Sequence, residues 1–183
     1  MTSISERYAA AASRFTDLVQ AVPADGWDKP SPCEGWVAKD VLEHVVSTEL
    51  DFLGQRDLPK PDVEGLDVTA QWPKVRDTFQ SLLDDPDTAT KAFDGYFGPT
   101  TVQETIDRFY CLDLLVHRWD LAQATGLDEH ATLDADELQA VNGNMANIPS
   151  EVMRTPGLFG PEITPAADAD DTTKLMNYLG RTA

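Results

Sequence analysis

Cysteine is nearly absent from this chain: Cys33 and Cys111 are the two in 183 residues. They lie far apart and form no C-x-x-C pair, which argues against a disulfide framework and a cysteine-based zinc site. Basic residues are scarce too, fourteen Lys and Arg against thirty-two Asp and Glu, for a formal net charge of -18. A surface of that sign repels phosphate backbones and anionic headgroups, so neither nucleic acid nor a membrane is expected as a partner. No apolar run approaches the length of a bilayer span. Glu6 and Arg7 stand where a secretion signal needs its apolar stretch, so the expected location is the cytoplasm. Internal repeats and low-complexity segments are missing as well. What is present is globular composition, 42% hydrophobic and 25% charged. The length suits one domain, residues 1–183, around a single core.

Apolar spacing predicts helices. Helix one runs from Ile4 to Val22 with Tyr8, Phe15 and Leu18 on its stripe. Pro23, Gly26, Pro30, Pro32 and Gly35 make the next stretch a loop. Helix two covers Val37 to Gln55 and helix three Val68 to Leu83, with Pro73 in or just beyond its first turn, where proline is tolerated. The stretch from Pro86 to Thr100 reads as a short hairpin or ordered loop, with Asp94-Gly95 as its turn signal. Thr101-Val-Gln-Glu104 has the capping-box pattern that opens helix four, and Gly126 is its natural C-cap. Helix five spans Asp134 to Ile148. The tail from Pro156 to Pro165 is extended and leads to a last short helix near Thr172–Leu179. The fold class is all-α, and four principal helices with long links suggest an antiparallel bundle.

Helix four carries the most informative pattern. At about 100° per residue, Ile106, Phe109, Tyr110, Asp113, Val116, His117, Asp120 and Ala124 share one face. Glu104, Asp107, Arg108, Arg118 and Ala122 occupy the opposite face and suit solvent. Three polar groups therefore enter the stripe that should be buried, and a buried carboxylate needs compensation. Asp113 and His117 are one turn apart and converge. Either a hydrogen-bonded acid–imidazole pair or a metal ion held between helices satisfies them. His44 lies at the margin of helix two's apolar arc, beside Asp40, Ser47, Thr48 and Asp51. That side is either a solvated face or the lining of a wet cleft in which Asp40 or Asp51 orients the imidazole.

Three segments carry a resemblance. Ser31-Pro-Cys-Glu-Gly-Trp36 followed by Lys39-Asp-Val-Leu-Glu-His44 resembles the second-helix signature of DinB-like proteins. The likeness is to the actinobacterial branch related to mycothiol-dependent maleylpyruvate isomerase. Asp113-Leu-Leu-Val-His117-Arg-Trp-Asp-Leu-Ala122 resembles that branch's fourth-helix signature. Pro156-Gly-Leu-Phe-Gly-Pro-Glu162 and the final Leu179-Gly-Arg are similar to the tail of one of its subfamilies. The resemblance implies a DinB-like four-helix bundle holding a divalent metal, zinc or nickel, with His44, Asp113 and His117. It also implies mycothiol as thiol co-substrate. Two departures stand out. The isomerase's acid is a glutamate where this chain has the shorter Asp113. The usual Thr or Ser cap of helix two is replaced by Val37, at a cost of about 1 kcal/mol.

Two histidines and one carboxylate leave a coordination position open, as catalytic and ligand-binding metals require. The expected chemistry is attack of an activated thiolate on a small electrophile, in an S-transferase or isomerase. The alternatives are a metal- or ligand-binding protein without that chemistry and a structural interaction domain. The tail is short where the resembling isomerase has a further domain, so maleylpyruvate itself is not the expected substrate. The chain is expected as monomer or homodimer. Cys33, in the loop before helix two, either approaches the site or is a small buried packing residue, the second being the expectation, and Cys111 is read as structural. Trp36 and Trp119 are read as packing anchors. Asp120 is a second acceptor for His117 or an exposed carboxylate. His130 receives no role, and neither Arg118 nor Arg154 is singled out.

Overall fold

A computed structural model describes residues 2–145, 148, 150–155 and 158–182. Helix α1, Ile4–Ala21, opens with a capping box: Ser3 Oγ accepts from the Glu6 amide, and Glu6 accepts from the Ser3 amide. Helix α2, Ala38–Gln55, has no side-chain acceptor at Val37; only the reciprocal half of a box exists, Asp40 Oδ2 accepting from the Val37 amide at 2.8 Å. Asp67 caps α3, Val68–Asp84, and Pro73 is the sixth residue of that helix, inside it. A four-residue turn of helix, α4 (Pro86–Ala89), leads to a hairpin of β1 (Ala92–Gly95) and β2 (Gly98–Thr101). Its turn is Tyr96-Phe97. Asp94-Gly95 closes β1 opposite Pro99 and Gly98, and Gly98, at φ +102°, makes the reversal.

The fourth long helix starts at the expected capping box, Thr101 with Glu104. It comprises α5 (Val102–Thr105), a π-turn (Ile106–Tyr110) and α6 (Cys111–Thr125), and ends on Gly126 at φ +72°. A 3-10 turn, Asp128–His130, precedes α7 (Ala135–Met145), α8 (Ser150–Met153) and α9 (Asp171–Tyr178). Part of the expected fifth helix, Ala146 and Asn147, and Pro156 and Gly157 of the tail motif lie outside the described residues. The helical expectation holds, with strand limited to the hairpin among the described residues.

Helices α1, α2, α3 and α6 enclose one core: α6 and α3 each pack on both α1 and α2. Tyr8, Phe15, Leu42, Leu53, Trp72, Phe79, Leu114 and Leu121 are buried in it. Trp72 Nε1–H donates to Thr16 Oγ1 at 2.9 Å, so the largest side chain enters with its donor satisfied.

Two expectations for the fourth helix fail. All of α6 except Asp113 and Gln123 is buried, Arg118 and Ala122 included. Its back is not solvent-facing because the C-terminal segment covers it: Arg118 is bidentate to Glu137 of α7 and donates to the Thr132 carbonyl. Phe109, placed on the buried stripe, is exposed and stacks on Phe97 of the hairpin. The π-turn is the reason. The Cys111 amide bonds the Ile106 carbonyl five residues back, which inserts one residue and rotates the preceding face away from that of α6.

Candidate metal centre

The π-turn ends three residues before Asp113 and sets the face that α6 offers to α2. Asp113 Oδ1 lies 3.6 Å from His44 Nε2 and 3.3 Å from His117 Nε2. The two imidazole rings meet edge to face at 4.8 Å. The side chains of His44 and Asp113 are 32% and 30% exposed and that of His117 is 7% exposed, so the cluster is partly open to water. Donors about 2.0–2.2 Å from a tetrahedral zinc stand roughly 3.3–3.6 Å apart. The donor set and these separations fit a small divalent ion.

Acid–imidazole pairing sets the electrostatics of the cluster. Burial would raise the Asp113 carboxyl, but the His117 and His44 imidazoles outweigh it and hold it well below the usual carboxylate range. Burial would lower His117, yet the Asp113 and Asp120 carboxylates, with Cys33 beside them, push it well above an ordinary imidazole. The carboxylates on either side of His117 therefore favour its protonated form in the metal-free chain.

Asp120 is fully buried and acts on the far side of His117, its Oδ2 being 2.9 Å from Nδ1. A carboxylate only accepts, so Nδ1 carries the proton and Nε2 turns toward Asp113. Burial would raise Asp120 as well; its hydrogen bond to His117 and the Arg181 guanidinium keep it below the ordinary range. Of the two readings for Asp120, the acceptor is the one found. Asp40 and Asp51 do not take that part for His44: Asp40 caps α2, and Asp51 is exposed.

The loop before α2 also enters the site, contrary to the packing role expected of Cys33. Ser31 Oγ accepts from the Cys33 amide, the Trp36 amide bonds the Cys33 carbonyl, and Gly35 sits at φ +79°. This tight fold carries Cys33 Sγ to 3.3 Å from Asp120 Oδ2. It brings the half-buried Trp36 ring to 5.1 Å from the His44 ring and 6.2 Å from that of His117, so Trp36 borders the cluster. Cys33, His117 and Asp120 form a second group with converging donors. It is a poor cation site, because Arg181 already occupies both Asp120 oxygens. Trp119 and Cys111 are buried as expected, and burial pushes the Cys111 thiol up to about 12. Arg154 is spent on the Gly160 and Tyr178 carbonyls.

Sequence reasoning missed Glu49 and Arg181. Glu49 is buried on α2 with the Tyr8 hydroxyl 3.4 Å away. Burial first, and the Asp113 charge second, raise its carboxyl well above the ordinary range. Its signal was available: Glu49 falls three and four residues after Val46 and Val45, on the apolar stripe.

Comparison with known proteins gives one family. Residues 8–72 match the family model of the mycothiol maleylpyruvate isomerase N-terminal domain. The match holds α1, the Cys33–Trp36 loop, His44 and Glu49, and ends at Trp72, before Asp113 and His117. No curated protein and no solved structure matches the chain. Over residues 8–72 the chain is similar to the mycothiol maleylpyruvate isomerase N-terminal domain, and the DinB-like resemblance of its helix motifs is consistent with that similarity.

Proposed function

We propose that this chain binds one divalent metal ion, zinc or nickel, through His44, Asp113 and His117, and uses it with mycothiol as an S-transferase or isomerase on a small electrophile. The observation that carries the reading is Asp113 Oδ1 within 3.6 and 3.3 Å of two imidazole Nε2 atoms, one from each of two helices. The relation of residues 8–72 to a mycothiol-enzyme domain supports the thiol. We read the four long helices as a DinB-like antiparallel bundle and the whole chain as one domain, working in the cytoplasm as monomer or homodimer. No helix among the described residues is long and apolar enough to cross a membrane.

A divalent ion with an open position supplies Lewis acidity that favours the thiolate form of a thiol beside it. The protein's own residues do the rest. Asp120 fixes the His117 ring, the exposed edges of His44 and Asp113 keep one side of the site accessible, and Trp36 shields the imidazoles. The thiol sulfur forms a bond to an electrophilic carbon. The thiol's proton ends on the leaving group in a transfer, or on the adduct in an addition that precedes isomerisation.

Tag-free protein, dialysed without chelator, is expected to hold close to one zinc or nickel per chain, lost in His44→Ala and His117→Ala. Mycothiol with a general electrophile such as a chlorinated dinitrobenzene then separates enzyme from binder. Conjugation faster than the uncatalysed rate supports the transferase; metal without thiol affinity leaves a metal-binding protein; no metal uptake sinks both.

A further inference from the structure

The C-terminal turn delivers a charged side chain into the interior next to the candidate metal centre. Helix α9 ends in a Schellman motif: the Arg181 amide bonds the Met176 carbonyl and the Gly180 amide bonds that of Asn177. Gly180 stands at φ +82°, and a Cβ there would lie 2.7 Å from the Cα and carbonyl carbon of Gly160. Two segments of the tail therefore touch backbone to backbone, and Arg181 is aimed inward. Its Nε lies 3.0 and 3.2 Å from the two Asp120 oxygens and its Nη2 is 2.9 Å from Oδ2. Nη1 donates to the Leu179 carbonyl, and the guanidinium faces the Phe159 ring. Arg181 is 9% exposed and Asp120 is 0% exposed.

A guanidinium that grips a carboxylate through both oxygens fixes its plane as well as its position. The Asp120 plane sets where Oδ2 stands, and Oδ2 holds His117 Nδ1 at 2.9 Å. We propose that Arg181 is a positioning residue: through Asp120 it locks the His117 ring so that Nε2 faces Asp113 and His44. This role rests on the metal reading above and extends it to a residue sixty-one positions beyond Asp120. Without the guanidinium, Asp120 would be a buried carboxylate whose remaining partners are His117 and the Cys33 thiol. Its plane would no longer be fixed, and the ring would lose an acceptor held in place. Groups that orient a ligand from behind commonly change metal affinity by about 10- to 100-fold.

The test uses the full chain and zinc alone. Zinc affinity is measured by competition with a chromophoric chelator for wild type, Arg181→Lys and Arg181→Met, with the fold of each checked by circular dichroism. Weakening of about 10- to 100-fold in Arg181→Met is expected, with Arg181→Lys between, and a shift of the visible bands when cobalt replaces zinc. A folded Arg181→Met protein with wild-type affinity and unchanged cobalt bands overturns the role. Should Arg181→Met not fold, nitrogen-15 NMR of zinc-loaded wild type and Arg181→Lys decides it: faster exchange of the His117 Nδ1–H in Arg181→Lys is expected, and equal protection in the two refutes it. If wild type takes up no zinc, the metal reading fails and the positioning role falls with it.

Discussion

Glu49→Gln should make the metal-free protein more stable at neutral pH and flatten its dependence on pH. Glu49 is 1% exposed, and its one hydrogen-bond partner among the described residues is the Tyr8 hydroxyl at 3.4 to 3.5 Å. The titratable groups around it are Tyr8 on α1 and Asp113, Cys111 and Tyr110 on the fourth helix, none of them cationic. Burial and the Asp113 charge hold its folded-state carboxyl well above 4.5. The folded chain thus keeps a proton that the unfolded chain releases near 4.5. Stability is complete below that value and falls as pH rises toward the folded value, with a slope of about 1.4 kcal/mol per pH unit for one proton. Glutamine is nearly isosteric and cannot ionise. Urea unfolding of chelator-treated wild type and Glu49→Gln at pH 5, 6 and 7 should give a difference that grows by about that slope within the window. Parallel stability curves would refute the assignment and mean that Glu49 is ionised in the folded chain.

Val37→Thr supplies the acceptor that α2 lacks and should raise stability by about 1 kcal/mol, read from urea midpoints, without altering metal content. Gly180→Ala meets both a positive φ and the Gly160 backbone at 2.7 Å; it should destabilise by more than about 1 kcal/mol and loosen Arg181, seen as a lower Tm and weaker zinc binding. Thiol titration with a disulfide reagent should label Cys33 in the native chain and Cys111 only in denaturant, because Cys111 is buried with its thiol pushed up to about 12.

Much of the fold was legible because its signals are local. The Thr101 capping box, Gly126 and the apolar spacing mark α1, α2, α3 and the fourth helix within a residue or two. The π-turn was not legible: one inserted residue leaves no mark in a 100° count, and it displaced Phe109 from the core. Arg118 and Ala122 were misplaced because periodicity assumes one buried stripe, whereas α6 has neighbours on all sides. At the site, Asp113 and His117 announced themselves as polar groups on an apolar stripe. His44 needed family resemblance, since a marginal position looks the same on a wet cleft and on open surface. Cys33 and Arg181 reach Asp120 from 87 and 61 residues away. Such contacts depend on tertiary path, which no periodicity encodes.

Zinc-edge X-ray absorption on the loaded, thiol-free protein tests the donor set most directly. Two imidazoles and a carboxylate predict a first shell of nitrogen and oxygen at about 2.0–2.2 Å, with the outer-shell scattering of two imidazoles and no zinc retained in His44→Ala. A sulfur scatterer at about 2.3 Å would place the metal on Cys33 instead, and a shell unchanged in His44→Ala and His117→Ala would place it elsewhere; either contradicts a centre built on His44, Asp113 and His117.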